Sequence, residues 1–159
     1  MSNYLIPLMV VVPMLCAILV NAFAKFNKSI KVLTFVVAIC LPIIPLLSNY
    51  GLHFFGGYAP MLDNATGVIY HPAITYAFDM LQQIFIAAVG LITFLVAFIY
   101  LSKYKKASGQ YLFLLFMGTA SVTALMLTDD IFNMFVFFEI LALVQVGIVI
   151  ASPMDYSYE

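Results

Sequence analysis

Charge is scarce in this sequence. Only 8% of its 159 residues are Asp, Glu, Lys or Arg, and 65% are hydrophobic; an ordinary soluble domain runs at about 25% and about 45–50%. A soluble fold of this length cannot hide so many apolar side chains, because a small domain leaves much of its surface wet. The scarcity excludes a soluble enzyme, a nucleic-acid-binding module and a disordered chain, and it makes a lipid bilayer the solvent. A formal net charge of −1 leaves no basic face for nucleic acid. Cysteine is equally scarce. Cys16 and Cys40 each fall inside an apolar run; without metal-ligand spacing they read as small hydrophobes and say nothing of a redox compartment. Met1-Ser2-Asn3-Tyr4 places no basic residue ahead of the first apolar run, which predicts a permanent membrane helix rather than a cleaved secretory signal.

What the sequence does have is long apolar runs. A membrane-crossing helix needs about 20 mostly apolar residues. Residues 4–24, 78–101, 110–128 and 131–151 meet that requirement, and 32–47 forms a shorter fifth segment. The expected fold class is all-α, a polytopic bundle of about five transmembrane helices making one membrane domain over residues 1–159. Pro13, Pro42 and Pro45 predict kinks or an early helix end, since neighbours in a bundle can satisfy the freed carbonyls. Strands are not expected: a run such as 91–99 is apolar on every face, where a membrane strand would alternate.

The connections divide by charge. Lys25, Lys28 and Lys31 lie between the first two segments, and Lys103, Lys105 and Lys106 between the third and fourth. These are all the basic residues. Helices that alternate in direction place both loops on one face, which the positive-inside rule makes cytoplasmic. The N-terminus is then outside and the C-terminal tail inside, in the cell membrane of a prokaryote. The long outward connection, 48–77, holds turn-forming glycines, prolines, Asp63 and Asn64, and an ordered cap is expected there. His53 and His71 lie in it with no metal-ligand spacing around them, so no metal site is expected. No phosphate-binding loop or haem motif is present, and no cofactor is expected in this chain.

Glu139 is the outlier. It sits in Phe135-Val136-Phe137-Phe138-Glu139-Ile140-Leu141, about 13 Å along the helix from Asp130 and near the bilayer centre. Intramembrane carboxyls are costly and mark proton or cation pathways, or pin helices together by hydrogen bonds. A carboxyl in hydrocarbon favours its neutral form, and a nearby cation reverses that preference, so such a group can take up and release a proton. Every lysine here is in a loop; a cationic partner must come from another polypeptide. Asp129 and Asp130 open the fifth helix, and Asp79 opens the third. Asp129 and Asp130 suit a helix N-terminus as caps, with ion access as the alternative role, and Asp79 suits one as a cap or interface residue. Asp130 and Glu139 point to opposite faces, since nine positions turn a helix by half a revolution. Gln145 and Asn133 are candidates for hydrogen bonds across helices. Ala120 with Ala124, and Gly147 with Ala151, have the small-x-x-x-small spacing of close helix contacts.

At the fifth helix the string Leu127-Thr128-Asp129-Asp130-Ile131-Phe132-Asn133-Met134-Phe135-Val136-Phe137-Phe138-Glu139-Ile140 resembles the signature of the antiporter-like subunits. These belong to Mrp-type sodium/proton antiporters, energy-converting membrane-bound hydrogenases and respiratory complex I. The pattern looks closer to the Mrp and hydrogenase branch. Phe55-Gly56-Gly57-Tyr58-Ala59-Pro60 and Tyr76-Ala77-Phe78-Asp79-Met80-Leu81 resemble the turn before helix three and its aspartate-bearing start. The resemblance implies that Glu139 is a proton-pathway residue working with a lysine on a seventh helix, which another membrane subunit must supply here. It implies a subunit of a cation-translocating complex, either an antiporter or a pump driven by a soluble redox module, with no catalysis of its own. A structural assembly subunit, or a shortened antiporter-like chain without transport, is the alternative.

Overall fold

The computed structural model describes residues 5–49, 51–57, 61–62, 69–70, 73–104 and 108–151. Within them lie five helices: α1 (Leu5–Ala22), α2 (Asn27–Leu47), α3 (Met80–Lys103), α4 (Gly109–Leu127) and α5 (Ile131–Ala151). All five are long and apolar enough to cross a membrane, so the chain is a multi-pass helix bundle. α1 packs on α4, α2 on α3, and α4 between α1, α3 and α5. Pro13, Pro42 and Pro45 sit inside continuous helices.

α2 begins at Asn27 rather than at 32. Lys28 and Lys31 can ride in its first turns because a lysine lays its aliphatic stem along apolar surface and carries only its head to water. The half-buried Lys31 does this, its Nζ donating to the Tyr104 carbonyl at 3.1 Å. That bond joins the ends of α2 and α3, so Lys31 and Lys103 lie at one end of the bundle, as the alternation of helices requires. Tyrosines close the same end. The Tyr100 ring stacks on Tyr111 at 4.3 Å, and its hydroxyl accepts from the Ser108 backbone N–H at 2.9 Å. Ser108 caps α4 by accepting from the Tyr111 backbone N–H at 3.4 Å. Lys105 and Lys106 lie outside the described residues.

Strands do occur, contrary to expectation, but in the connection and not as membrane-crossing elements. β1 (Leu52–Gly57) pairs antiparallel with β4 (Ala73–Phe78), and between them β2 (Met61–Leu62) pairs with β3 (Ile69–Tyr70). The physical reason is local: Leu52–Phe55 and Ala73–Phe78 are short runs with β-branched and aromatic residues, bounded by turn formers. Gly51 turns the chain into β1 at φ 74°, a conformation open to glycine at no steric cost, and its N–H donates to the Phe78 carbonyl at 2.7 Å. His53 pairs through its backbone with Ala77; His71, Asp63 and Asn64 lie outside the described residues.

The end of β4 plugs the bundle. Tyr76, Ala77 and Phe78 are buried, Phe78 completely, and Tyr76 and Phe78 pack with Ile6, Met9, Ile86 and Leu127. A second apolar cluster around Ala17, Val20, Ile30 and Phe116 fills the lysine end. Burial of a Leu, Ile or Phe side chain of this kind contributes about 1.5–3 kcal/mol in water. Inside a bilayer the gain is packing, because lipid tails are as apolar as leucine.

Candidate functional site

The turn between α4 and α5 is a hydrogen-bonded knot. Asp130 Oδ1 accepts from the Phe132 backbone N–H at 3.1 Å and its Oδ2 from that of Asn133 at 3.3 Å. The aspartate therefore caps α5, matching the capping role of its type and place. Thr128 Oγ1 accepts from the Asp130 backbone N–H at 3.3 Å and from Asn133 Nδ2 at 3.0 Å. The buried Asn133 thus bonds within its own turn and not across helices. Asp129 is exposed. Tyr76 of β4 forms a β-bridge to Thr128, which ties the cap to this turn.

Asp79 stands at the start of α3, exposed, its backbone N–H donating to Gln82 Oε1 at 3.1 Å as part of a capping box. The next residue but three does more for the tertiary structure. Gln83 Nε2 donates to the Pro45 carbonyl at 2.9 Å and to the Ser48 carbonyl at 3.1 Å, stitching α3 to the end of α2. A glutamine one turn inside a helix was the available signal. Its partners are backbone carbonyls, which sequence pattern does not reveal.

Glu139 lies near the middle of α5 and is exposed. The residues one turn away on either side, Phe135, Val136, Ala142 and Leu143, are exposed as well, and only Asn133 and Val144 of this helix are buried. No hydrogen-bond partner for the Glu139 carboxyl is found among the described residues. Val144 points at α4, meeting Gly118, and Glu139 is turned about 140° from it. The carboxyl thus stands on the uncovered side of the helix. Asp130 and Asp129 sit at one end of α5 and Asp79 at the same end of α3; the structure does not bring them together with Glu139. Among the described residues no group of three or more His, Cys, Asp or Glu could hold a metal ion.

Gln145 lines a groove of about 220 Å³ between α3, α4 and α5, together with Thr93 and Thr119. Thr93 Oγ1 and Thr119 Oγ1 lie 2.8 Å apart, a buried interhelical hydrogen bond that the sequence reading did not anticipate. Close helix contacts occur at glycines, only one of them foreseen. A Cβ on Gly147 would meet the Leu114 side chain at 2.9 Å, one on Gly109 would meet Ala24 Cβ at 2.7 Å, and one on Gly90 would meet the Pro42 backbone N at 2.7 Å.

No family model matches the sequence. It is similar to an uncharacterized protein of Methanocaldococcus jannaschii, 36% identical over 157 residues, which cover 99% of this chain and 31% of that protein. The fold is similar to that of a chain of the membrane-bound sulfane sulfur reductase, an archaeal respiratory membrane complex. The TM-score is 0.66 at 22% identity, covering 87% of this chain and 28% of that one. The chain therefore spans about a third of the length of the relatives it matches. It shares a fold with a subunit of a multi-subunit respiratory membrane complex.

Proposed function

We propose that this chain is part of a membrane subunit of a cation-translocating complex, of the antiporter-like type, in which Glu139 accepts a proton inside a half-channel. The observation that carries the reading is a carboxyl at mid-helix on a face that none of the described residues covers. A charged side chain at the centre of a helix in hydrocarbon costs about 2.5–3.5 kcal/mol or more, so the face calls for polypeptide and not for lipid. The covering subunit would supply an intramembrane cation, since Lys28, Lys31 and Lys103 lie in the end turns of α2 and α3. The length of the relatives supports this reading, as does the respiratory complex whose subunit shares the fold. On this reading, electron transfer in a soluble redox module would drive translocation, with proton or sodium as the ion.

The test is Glu139→Gln in the assembled complex, reconstituted in vesicles, with ion movement and subunit content measured together. Ion translocation is expected to fall at least tenfold while the complex stays assembled. Full pumping by an intact Gln variant would sink the transport reading and leave assembly as the role of the carboxyl. In that case Glu139→Leu, which cannot hydrogen-bond, would release the neighbouring subunit.

A further inference from the structure

Hydroxyls in the membrane-spanning helices treat their protons in two ways. Ser121 donates to the carbonyl one turn back, at 2.9 Å; Thr93 and Thr119 each lie 2.9 Å from such a carbonyl, and one of them turns its single proton to the other's oxygen at 2.8 Å. Thr123 makes no such bond and has no hydrogen-bond partner among the described residues, although it is only 3% exposed. It borders a small interior cavity of about 10 Å³ at the meeting of α1, α2, α3 and α4. That is the room one water needs, and a buried water also needs two to four polar partners (about 3 on average).

The same cavity supplies those partners. Thr119 lines it beside Thr123, and its oxygen keeps a lone pair after bonding Leu115 and Thr93. Leu41 and Pro45 line it from α2. Pro45 has no N–H to return to the carbonyl of Leu41, four residues earlier. No ionisable side chain lines the space, so a cation would find no countercharge there, whereas a neutral donor and acceptor fits. We infer that this cavity binds a single structural water, which accepts from Thr123 and donates to the Leu41 carbonyl and to Thr119. A proline in a membrane helix leaves a carbonyl that neighbouring helices, hydroxyls or ordered water must satisfy, and here a threonine on the facing helix holds the water that does so. Through Thr119 and Thr93 the water is joined by hydroxyls to the groove that Gln145 lines.

Met9, 3% exposed, also borders the cavity and serves as reporter. Brief X-ray radiolysis of the purified, assembled protein makes hydroxyl radicals from bulk and bound water alike, so a methionine sealed from bulk is oxidised only by water bound beside it, and mass spectrometry reads that oxidation. Met9 is expected to be oxidised in the wild type and in Thr123→Ser, and to lose its labelling in Thr123→Val. Unlabelled Met9 in the wild type would overturn the assignment without recourse to any variant. Equal labelling in Thr123→Val would overturn it too, as would labelling that requires added sodium or potassium, which would make the occupant a cation.

Discussion

Thr34 is fully buried on α2, and its hydroxyl has no partner among the described residues. An unsatisfied buried hydroxyl costs about 1–3 kcal/mol, and exchange for a methyl of the same shape removes that cost. Thr34→Val is expected to raise the thermal midpoint of the protein in detergent, as read by scanning fluorimetry; a lower midpoint would mean that the hydroxyl is bonded. The residue scale is also where the sequence was most and least informative. Asp130 was readable as a cap because short carboxylates at a helix start do that wherever they occur, through bonds to N–H groups two and three residues on. Glu139 was readable as an anomaly because depth in a helix follows from counting. Gln83 and the pair Thr93 and Thr119 were not readable. Their partners lie on other helices, at separations set by how those helices cross.

Among the described glycines, Gly90 makes the approach with least room to relax. A Cβ there would stand 2.7 Å from the Pro42 N and 2.8 Å from the Leu41 carbonyl carbon, backbone atoms that cannot swing aside. Gly90→Ala would gain about 1 kcal/mol of helix propensity and lose about 1–3 kcal/mol to overpacking. The second effect is expected to win, so the variant should melt lower than wild type and yield less folded protein by size-exclusion chromatography. Helix positions were legible from run length, with ends displaced by a few residues where a lysine stem or a cap extended or delayed the helix. The small-residue spacing at Ala120 and Ala124 does mark a buried face. The approach at Gly90 depends on a proline opposite, which no spacing rule contains. The strands were missed because membrane-length apolar runs dominate the pattern, while four short strands occupy the connection between them.

For the molecule as a whole, the asymmetry of burial is the informative feature. α4 is surrounded by α1, α3 and α5, whereas α5 has one packed side. On the proposal that another subunit covers it, cysteines placed at Phe135 and Leu143, a turn either side of Glu139, are expected to cross-link to a second polypeptide in native membranes. A nitroxide at either position that reports free access to lipid-dissolved oxygen would argue that the face meets lipid. That Lys31 and Lys103 lie at one end of the bundle was legible, because helices that alternate in direction bring the two lysine-bearing connections together. What covers α5 was not, since an apolar surface reads the same whether its neighbour is lipid or leucine.

The bridge from Tyr76 to Thr128 gives the hairpin of β1 and β4 a mechanical connection to the turn that opens the most uncovered helix. Tilting α5 must drag β4, and clamping β4 must restrain α5. A binder raised against this hairpin would therefore act as a brake on the helix that carries the acid, without touching that helix itself.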